Sequence, residues 1–476
     1  MSATSSTHAA ALVELRRIVG PAGVVDDAQA AETHLVDHRK LYRGRAALIV
    51  RPASTDEVAR VVRICHDARI GIVPQGGNTG YCGGATPDAS GTQVLVSLAR
   101  MRAVREVDVL NQTLTVEAGV ILADVQRAAE EHGLLFPLSL GAEGSCLIGG
   151  NLSTNAGGTA VLHYGNTRDL VLGLEVVLPD GRIWNGLRKL RKDNAGYDLK
   201  HLFIGAEGTL GIITAAVLKL FPRPRARATV WLAVASPDAA GRLLARVRAA
   251  CGDAVTSFEY IPRLALELVL EHIPATRDPL ARRCEHYALL ELASAASDES
   301  LRTPLEHTLE QALDAGEILD AALAQSEEHR HAFWRLRETI PEAQTRAGGS
   351  LKHDVSVPVS AVATLLAEGS EAARTIAPGV RICAYGHVGD GNLHFNFQAP
   401  PGETLHSFVD RHGAAISHAL YERVARLGGS VCAEHGVGQL KRELLARYAD
   451  PAGLATMRAL KAALDPDCLM NPGKVL

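Results

Sequence analysis

The sequence predicts an α+β protein in two parts, and three observations support that prediction. With 476 residues, the chain is too long for one ordinary hydrophobic core. From Ser54 to Leu220, helical patches alternate with short β-branched runs that glycines interrupt. After a junction rich in Pro and Arg at Pro222–Pro224, strands and helices alternate in a rhythm typical of an antiparallel sheet with helices on one face.

The first part can be predicted element by element. "STDEVARVVRICHDARI" begins with a capping box, Ser54–Glu57, and places Val58, Val61, Val62 and Cys65 on one helical face. An apolar strand in "GIVPQGGNTGYCGG" then runs into a glycine-dense loop. Strands in "QVLVSL" and "TLTVEAGV" and a helix near "LADVQRAAEEHG" follow.

The second part has strands and helices in "WLAVASPDAAGRLLARVRAAC" and "HYALLELA", and a long helical stretch around "EEHRHAFWRLRETIPEA". Further strands are predicted near "SLKHDVSVPVS" and in "CAYGHVGDGNLHFNF". The tail "DPDCLMNPGKVL" is too rich in Pro and Gly to form one more helix.

Composition argues against a polyanionic partner. The formal net charge is -4 and the pI is near 6.6, so no strong field favours nucleic acid or an anionic membrane, and a small-molecule partner fits better. The eight cysteines form no CxxC pair and no ferredoxin-like run, which predicts reduced core thiols rather than an iron–sulfur cluster.

The N-terminus has no apolar stretch behind a basic start, so no secretory signal is predicted. No apolar run approaches the ~20 residues of a membrane span, and we expect a soluble protein of the cytoplasm, or of the mitochondrial matrix in a eukaryote. The Ser/Thr-rich opening leaves a short transit peptide as the alternative, although Ala10–Val19 already has the pattern of an amphipathic helix.

Three stretches are unusually rich in glycine and small residues. "PQGGNTG", Pro74–Gly80, follows a strand but matches neither the Rossmann fingerprint nor the P-loop. Its backbone N–H groups can crowd around a phosphate, with Asn78 and Thr79 as added donors, while a plain turn is the alternative. The stretches 140–181 and 202–214 would let backbone approach a large flat ligand.

Together these stretches closely resemble the FAD-binding domain of the vanillyl-alcohol oxidase superfamily, also called the p-cresol methylhydroxylase type, over roughly 46–222. The resemblance implies bound FAD, with backbone amides supplying the positive potential at the pyrophosphate. Covalent attachment stays open because Cys82 and Cys146 lie close to these stretches in sequence. The implied contacts are Gly76, Gly77, Asn78, Thr79 and Gly80 at the pyrophosphate, Gly144, Ser145, Gly149, Asn151, Ser153, Asn155 and Gly158 along the isoalloxazine and ribityl chain, and Glu207, Gly208 and Ile213 near the adenine.

"CAYGHVGDGNLHFNF" predicts a hairpin in which His387 and His394 flank the turn 389–392. The two imidazoles can then converge on a divalent metal, and "VCAEHGVGQLKR" offers the adjacent Glu434 and His435 as further candidates. Taken alone, two histidines at this spacing are also compatible with ordinary hydrogen-bonded sheet residues.

The two motifs together resemble the FAD-linked oxidase C-terminal domain of D-2-hydroxyglutarate, D-lactate and glycolate dehydrogenases, and the D-2-hydroxyglutarate group most of all. The resemblance spans nearly the whole chain and includes the closing "NPGK", which implies that Asn471 returns to the flavin. It implies zinc or a similar divalent ion on His387, His394 and Glu434, and substrate contacts from Asn396 and His435. His435 would act as the general base, with simple orientation of the substrate as the alternative.

Substrate recognition is implied by two cations that match carboxylate-binding residues of the family, Arg337 and Lys352. Two cations beyond a metal suggest a substrate with a second carboxylate. Pro341 stands where D-2-hydroxyglutarate enzymes often place a threonine. The two cations make D-2-hydroxyglutarate the best interpretation. Pro341 leaves D-lactate and D-malate as alternatives.

The predicted organisation is an N-terminal helical segment 1–45, an FAD-binding domain 46–222, a substrate domain 223–425 and a C-terminal segment 426–476 that returns to the flavin. Without an internal relay, electrons must leave to an external acceptor: an electron-transfer flavoprotein, a quinone or a cytochrome. Family habit suggests a homodimer. The rival functions are a non-catalytic flavoprotein subunit, which would not need the complete His/His/Glu/His set, and a flavin-independent metallohydrolase, which leaves the glycine stretches unexplained.

Overall fold

A computed structural model describes residues 3–476, with side chains from Thr7 onward. The chain divides into two compact units. The first unit contains residues 3–158, 165–223 and 434–476, and the second contains residues 159–164 and 224–433. The second unit thus interrupts the first along the chain.

Helices occupy much of the described chain. The α-helices are, in order, α1 (Ala3–Val19), α2 (Ala28–Leu35), α3 (Thr55–Asp67), α4 (Leu122–Glu130), α5 (Ile148–Thr154), α6 (Val161–Tyr164), α7 (Lys200–Phe203), α8 (Pro237–Cys251), α9 (Arg263–His272), α10 (Asp298–Asp314), α11 (Glu327–Glu338), α12 (Ile340–Arg346), α13 (Val362–Ile376), α14 (Leu405–Phe408), α15 (Ala414–Arg426), α16 (Arg442–Tyr448) and α17 (Pro451–Leu464). Short 3₁₀ turns lie at Pro21–Gly23, Thr167–Leu170, Gly252–Ala254 and Val359–Ala361, and one π-helical turn at Val409–Gly413.

The strands are β1 (Leu48–Val50), β2 (Ile72–Gln75), β3 (Val94–Ser97), β4 (Val104–Asp108), β5 (Thr113–Glu117), β6 (Leu134–Leu135), β7 (Val171–Val177), β8 (Ile183–Gly186), β9 (Ile212–Lys219), β10 (Phe221–Pro222), β11 (Ala226–Val234), β12 (Val255–Pro262), β13 (His286–Ser294), β14 (Ile318–Leu323), β15 (Asp354–Ser356), β16 (Arg381–Tyr385) and β17 (Asn392–Gln398). The first unit contains a parallel sheet β1-β3-β2, an antiparallel sheet β4-β5-β9-β7-β8 and the pair β10-β6. The second contains the antiparallel sheets β12-β13-β11-β14 and β15-β17-β16.

Helix α3 forms as the sequence predicts. Val58, Val61, Val62 and Cys65 are all buried in the core of the first unit. At its N-terminus the Ser54 hydroxyl accepts a hydrogen bond from the Glu57 N–H at 3.2 Å. The Glu57 carboxylate, however, accepts from the N–H of Ala53 rather than from that of Ser54, so only the Ser54 half of the capping box is present.

The tail returns to the parallel sheet. Met470 forms a parallel bridge with Ile72 of β2, and two backbone hydrogen bonds of 2.7 Å flank it, from the Ile72 N–H to Leu469 and from the Asn471 N–H to Ile72. As predicted, residues 465–476 form no helix. Met470 is fully buried in the core of the first unit, which explains why the tail stays in place.

The second unit confirms the mixed class of helices and antiparallel sheet. Helices α8 and α10 contact its four-stranded sheet. The structure adds a second helical layer, because Trp231 and Leu289 of the same sheet share a core with side chains of α9, α11 and α12. Alternate residues of a strand point to opposite faces, so both faces of this sheet are covered.

The long helical stretch predicted around "EEHRHAFWRLRETIPEA" is divided into α11 and α12 at Thr339. Pro341 lies in the first turn of α12, where its missing N–H costs no helical hydrogen bond. A proline at this position disfavours continuation of α11, because it has no N–H to donate to the carbonyl of Arg337.

Among residues 3–476, no helix combines the length and apolarity that a membrane span requires. No disulfide joins any of the eight cysteines, all of which lie in the described chain. The prediction of core thiols holds for five of them but is wrong for Cys468, which is exposed in the tail. Burial raises the pKa of Cys65 and of Cys383 to about 12.

Alkylation should separate these thiols. At pH 8, Cys65 and Cys383 should label far more slowly than Cys468, because a thiol with a pKa about 12 is ionised in about one molecule in ten thousand and is also sterically shielded. Peptide mass spectrometry after timed iodoacetamide treatment measures the three rates, with guanidinium-unfolded protein as the control. Equal labelling of Cys65 and Cys468 in the folded protein would contradict the core placement.

Candidate active site

The glycine loop after β2 presents an uninterrupted row of backbone donors. The five N–H groups of 76–80 donate to no acceptor within the described residues. Asn78 has a φ of 55°, and its side-chain amide donates to the carbonyls of Thr33 and Val36 at 2.9 and 2.8 Å. The Asn78 side chain therefore holds the loop, and its backbone N–H is the donor left to face an anion.

Two glycines allow the walls of this site to approach closely. A Cβ on Gly77 would lie 2.4 Å from the carbonyl oxygen of Ser145, and a Cβ on Gly149 would lie 3.1 Å from that of Ala118. The stretch of small residues after Leu140 thus packs backbone directly against the glycine loop. At Gly80 and Gly144, by contrast, no protein atom lies within 4 Å of an added Cβ, so the space beside them is open.

These walls line a cavity of about 130 Å³ within the first unit. One buried acceptor in its lining, Oδ1 of Asn151, accepts no hydrogen bond from any residue that the structure describes. Among the predicted cofactor residues, those that line the cavity are Gly76, Gly77, Asn78, Thr79, Gly80, Gly149, Asn151, Ser153, Glu207, Gly208 and Ile213.

The other predicted cofactor residues lie outside this lining. Gly158 packs against the backbone of Ser139, where a Cβ would lie 2.2 Å from the carbonyl oxygen. Asn155 ends α5 in a left-handed conformation and accepts from the N–H of Arg168 at 2.9 Å. Ser145 is exposed, and Gly144 is next to it in the chain.

Asn471 and Glu207 connect the tail to the cavity. The Asn471 amide donates to the carbonyls of Gly84 and Glu207 at 2.9 and 2.7 Å. The Glu207 carboxylate accepts the N–H groups of Val437 and Gly438 at 2.7 and 2.8 Å, although burial raises its pKa. Sequence patterns did not indicate this contact, which fixes the loop that follows His435.

His435 itself lines the cavity, within the first unit. Its imidazole meets the ring of Tyr81 edge-on, with the ring centroids 4.7 Å apart. Tyr81 directly follows the glycine loop, so one short segment of chain carries both the row of N–H donors and the packing surface for His435. Glu434 is its neighbour in sequence.

In the second unit the predicted hairpin is present. β16 and β17 pair antiparallel, with Tyr385 opposite His394, and the rings of His387 and His394 meet with centroids 5.6 Å apart. Gly391 has a φ of 86°, and a Cβ there would lie 1.9 Å from the carbonyl oxygen of Val357, so glycine is required. His394 Nδ1 also lies 3.9 Å from Oδ1 of Asp354 on β15, a residue that sequence patterns did not single out.

Beside this hairpin lies a buried carboxylate that was also missed. Oε1 of Glu259 is 2.6 Å from Nδ1 of His387, and Oε2 accepts from Nε of Arg337 at 2.7 Å. Burial alone would raise the pKa of Glu259, but Arg337 and His387 outweigh it and lower the pKa to about 2. Arg337 is itself buried, with its guanidinium 4.9 Å from the centre of the Tyr385 ring.

The remaining predicted substrate residues differ in their surroundings. Asn396 is buried in β17, where its amide donates to Gln344 at 3.0 Å and its oxygen accepts from the N–H of His353 at 3.2 Å. Lys352 is exposed, two residues before β15. Arg346, which follows Pro341 in α12, binds Glu342 and the carbonyl of His272.

Both expected cofactors fit the residues present. The free N–H groups of 76–80, the open space beside Gly80 and the unsatisfied oxygen of Asn151 suit the pyrophosphate and the N–H-bearing ring of FAD. The imidazoles of His387 and His394 suit a borderline divalent ion such as zinc.

Two family models match the chain: the FAD binding domain over residues 46–186, and the C-terminal domain of FAD linked oxidases over residues 223–475. With the cavity and its donors, they define a flavoprotein oxidoreductase. More particularly, the chain belongs to the FAD-linked oxidase family, and FAD is its cofactor.

Individual proteins also resemble this chain over most of its length. The mitochondrial D-2-hydroxyglutarate dehydrogenase of Bos taurus is 39% identical over 469 residues, which cover 98% of this chain and 83% of the relative. D-2-Hydroxyglutarate dehydrogenase of Xanthomonas citri pv. viticola is 38% identical over 427 residues, covering 90% and 88%. In fold, substrate-bound p-cresol methylhydroxylase matches with a TM-score of 0.76 at 16% identity, covering 99% of this chain and 97% of that one.

Replacing Gly80 should separate cofactor binding from folding. Gly80→Ala adds a methyl group where no protein atom lies within 4 Å, so stability should be unchanged, whereas a pyrophosphate wrapped by this loop would meet it. We expect FAD affinity to fall at least about tenfold, ~1.4 kcal/mol. Fluorescence titration of apoprotein with FAD measures this.

Gly241→Ala, in α8 of the second unit, is the matched control because it too has open space around the added Cβ. It should leave FAD affinity unchanged. If Gly80→Ala binds FAD as tightly as the wild type does, the loop does not wrap the pyrophosphate.

Proposed function

We propose that the protein oxidises D-2-hydroxyglutarate to the 2-oxo acid in an FAD-dependent reaction assisted by a divalent metal. Family membership and the names of its relatives support a D-2-hydroxy acid dehydrogenase. The observation that carries the proposal is the placement of His435, a potential base, in the lining of the FAD cavity.

Two cofactors supply chemistry that side chains cannot. FAD, when bound, supplies the hydride acceptor, and a divalent ion, when bound, supplies Lewis acidity toward the 2-hydroxyl. For the ion we propose His387, His394 and Glu434 as ligands, with zinc as the metal. Cys146 argues for non-covalent FAD, because burial raises the pKa of its thiol and disfavours the nucleophilic thiolate.

His435 is proposed to take the proton of the 2-hydroxyl, since histidine is the side chain best suited to accept a proton near neutral pH. Two contacts hold the imidazole in place for this role. Tyr81 packs edge-on against its ring, and Glu207 clamps the two amides of Val437 and Gly438 that follow it in the chain.

Arg337 and Lys352 are proposed to bind the substrate carboxylates, with Asn396 as a further contact. Because Glu259 lies against Arg337, the negative charge of the carboxylate offsets the positive charge of the guanidinium. Arg337 then contributes direction through its planar fork, and Lys352 contributes most of the net positive charge.

The second candidate substrates are D-malate and D-lactate. Pro341 favours them, because it has no hydroxyl to donate where the family often has threonine, and the Arg346 guanidinium is engaged by Glu342 and the carbonyl of His272 instead. We further propose an external electron acceptor (an electron-transfer flavoprotein, a quinone or a cytochrome) and a homodimer.

Anaerobic mixing tests the reaction. FAD-loaded protein should lose absorbance at about 450 nm with D-2-hydroxyglutarate and not with the L form, because hydride transfer reduces the flavin. D-Malate, D-lactate and their L forms are tested in parallel, and each run is repeated after chelation and after zinc, manganese or cobalt is restored. If no hydroxy acid bleaches the flavin, the dehydrogenase proposal is wrong and a non-catalytic flavoprotein subunit takes its place.

Replacing the base gives an independent test. His435→Asn should slow flavin reduction by about 10²–10⁴-fold, because a general base typically contributes that much. Stopped-flow spectroscopy measures the rate, and His132→Asn, at an exposed histidine after α4, is the control that should keep it. A His435→Asn rate within a few fold of wild type would show that His435 only orients the substrate.

A further inference from the structure

The surroundings of Glu259 indicate a structural role rather than an incidental ion pair. It lies in the middle of β12, with its side chain only 1% exposed. Its two oxygens contact two different functional candidates, Nδ1 of His387 and Nε of Arg337. Each oxygen is within 2.7 Å of its partner, so the carboxylate bridges the proposed metal ligand and the proposed substrate arginine.

The backbone on either side of Glu259 is hydrogen-bonded to the hairpin loop that carries His387. Tyr260 and Gly386 exchange two hydrogen bonds, of 2.9 and 3.1 Å, and the N–H of Gly389 donates to the carbonyl of Phe258 at 3.1 Å. Three backbone bonds thus hold 386–389 while the Glu259 side chain holds the imidazole between them. The position of His387 is determined by both.

The chemistry of the contact assigns a tautomer. A carboxylate only accepts hydrogen bonds, so Nδ1 of His387 carries the proton, and in the neutral imidazole Nε2 carries the lone pair. Nη2 of Arg337 lies 3.5 Å from Nε2, on the acceptor side of the ring. A lone pair at Nε2 is what a metal ligand or a hydrogen-bond acceptor at this place needs.

We propose that Glu259 is a positioning residue that fixes the Nε2 lone pair of His387 for a divalent ion and, through its second oxygen, orients Arg337. The inference rests on the proposed function for the metal itself. The tautomer and the bridge involve only contacts among residues of the second unit and no metal ion, so they can be tested in metal-free protein.

Glu259→Gln is the most informative substitution because it keeps the shape and removes one acceptor. An amide has a single oxygen, so it cannot accept from both His387 and Arg337. If the oxygen stays with Arg337, the NH₂ group faces Nδ1, which must then accept. His387 would move its proton to Nε2, where it blocks a metal ligand.

Metal affinity is the first measurement. FAD-loaded wild type and Glu259→Gln are titrated with zinc against a competing chelator, and we expect the variant to bind about 10–100-fold more weakly. Glu291→Gln is the matched control, because Glu291 lies on the neighbouring β13 and accepts from Trp334 at 2.7 Å. It should bind zinc like the wild type. Unchanged affinity in Glu259→Gln would overturn the proposal.

The second measurement is the imidazole ¹⁵N spectrum of metal-free protein, with the signal of His387 assigned by its loss in His387→Asn. The wild type should show the Nδ1–H tautomer, and Glu259→Gln should show Nε2–H. If the wild type shows Nε2–H, the proposal is wrong even without a folded variant. If the wild type takes up no zinc, yet the tautomer of His387 differs between the wild type and Glu259→Gln, the metal proposal fails and the positioning role of Glu259 stands.

Discussion

The pairing of the tail with β2 is the constraint on which the cofactor cavity depends. Met470 bridges to Ile72, and the neighbouring Asn471 spans two carbonyls, one in the loop after β2 and one at Glu207. Glu207 then holds the amides that follow His435. Three walls that are far apart in sequence, the glycine loop, the turn at Glu207 and the loop of His435, are thereby joined by hydrogen bonds.

Much of this arrangement could be predicted from sequence because the determining patterns are local. The periodicity of α3, the glycine loop after β2 and the turn between β16 and β17 each depend on residues within about one element of each other. The hairpin alone brings His387 and His394 together, since their positions across a tight turn follow from strand pairing.

The carboxylates were missed for a physical reason. Glu259 lies in a strand whose other residues suggest an ordinary buried strand, and its partners are 128 and 78 residues away in sequence. A buried charge is stable only where it is paired, and no short-range pattern reveals a pair at such distances. Asp354 beside His394 belongs to the same class. Sequence likewise gave no sign that the amides of Asn78 and Asn396 are engaged by the protein itself.

The interrupted first unit has a consequence for synthesis. Its tail is translated more than two hundred residues after Arg223, which at about 5–20 residues per second is a delay on the order of ten seconds or more. During that interval β2 lacks its Met470 partner and the cavity lacks His435, while the whole second unit emerges and can fold. The cofactor cavity is therefore complete only after the tail has been made, and a ribosome-stalled chain that stops before the tail would carry the whole hairpin but a cavity without His435.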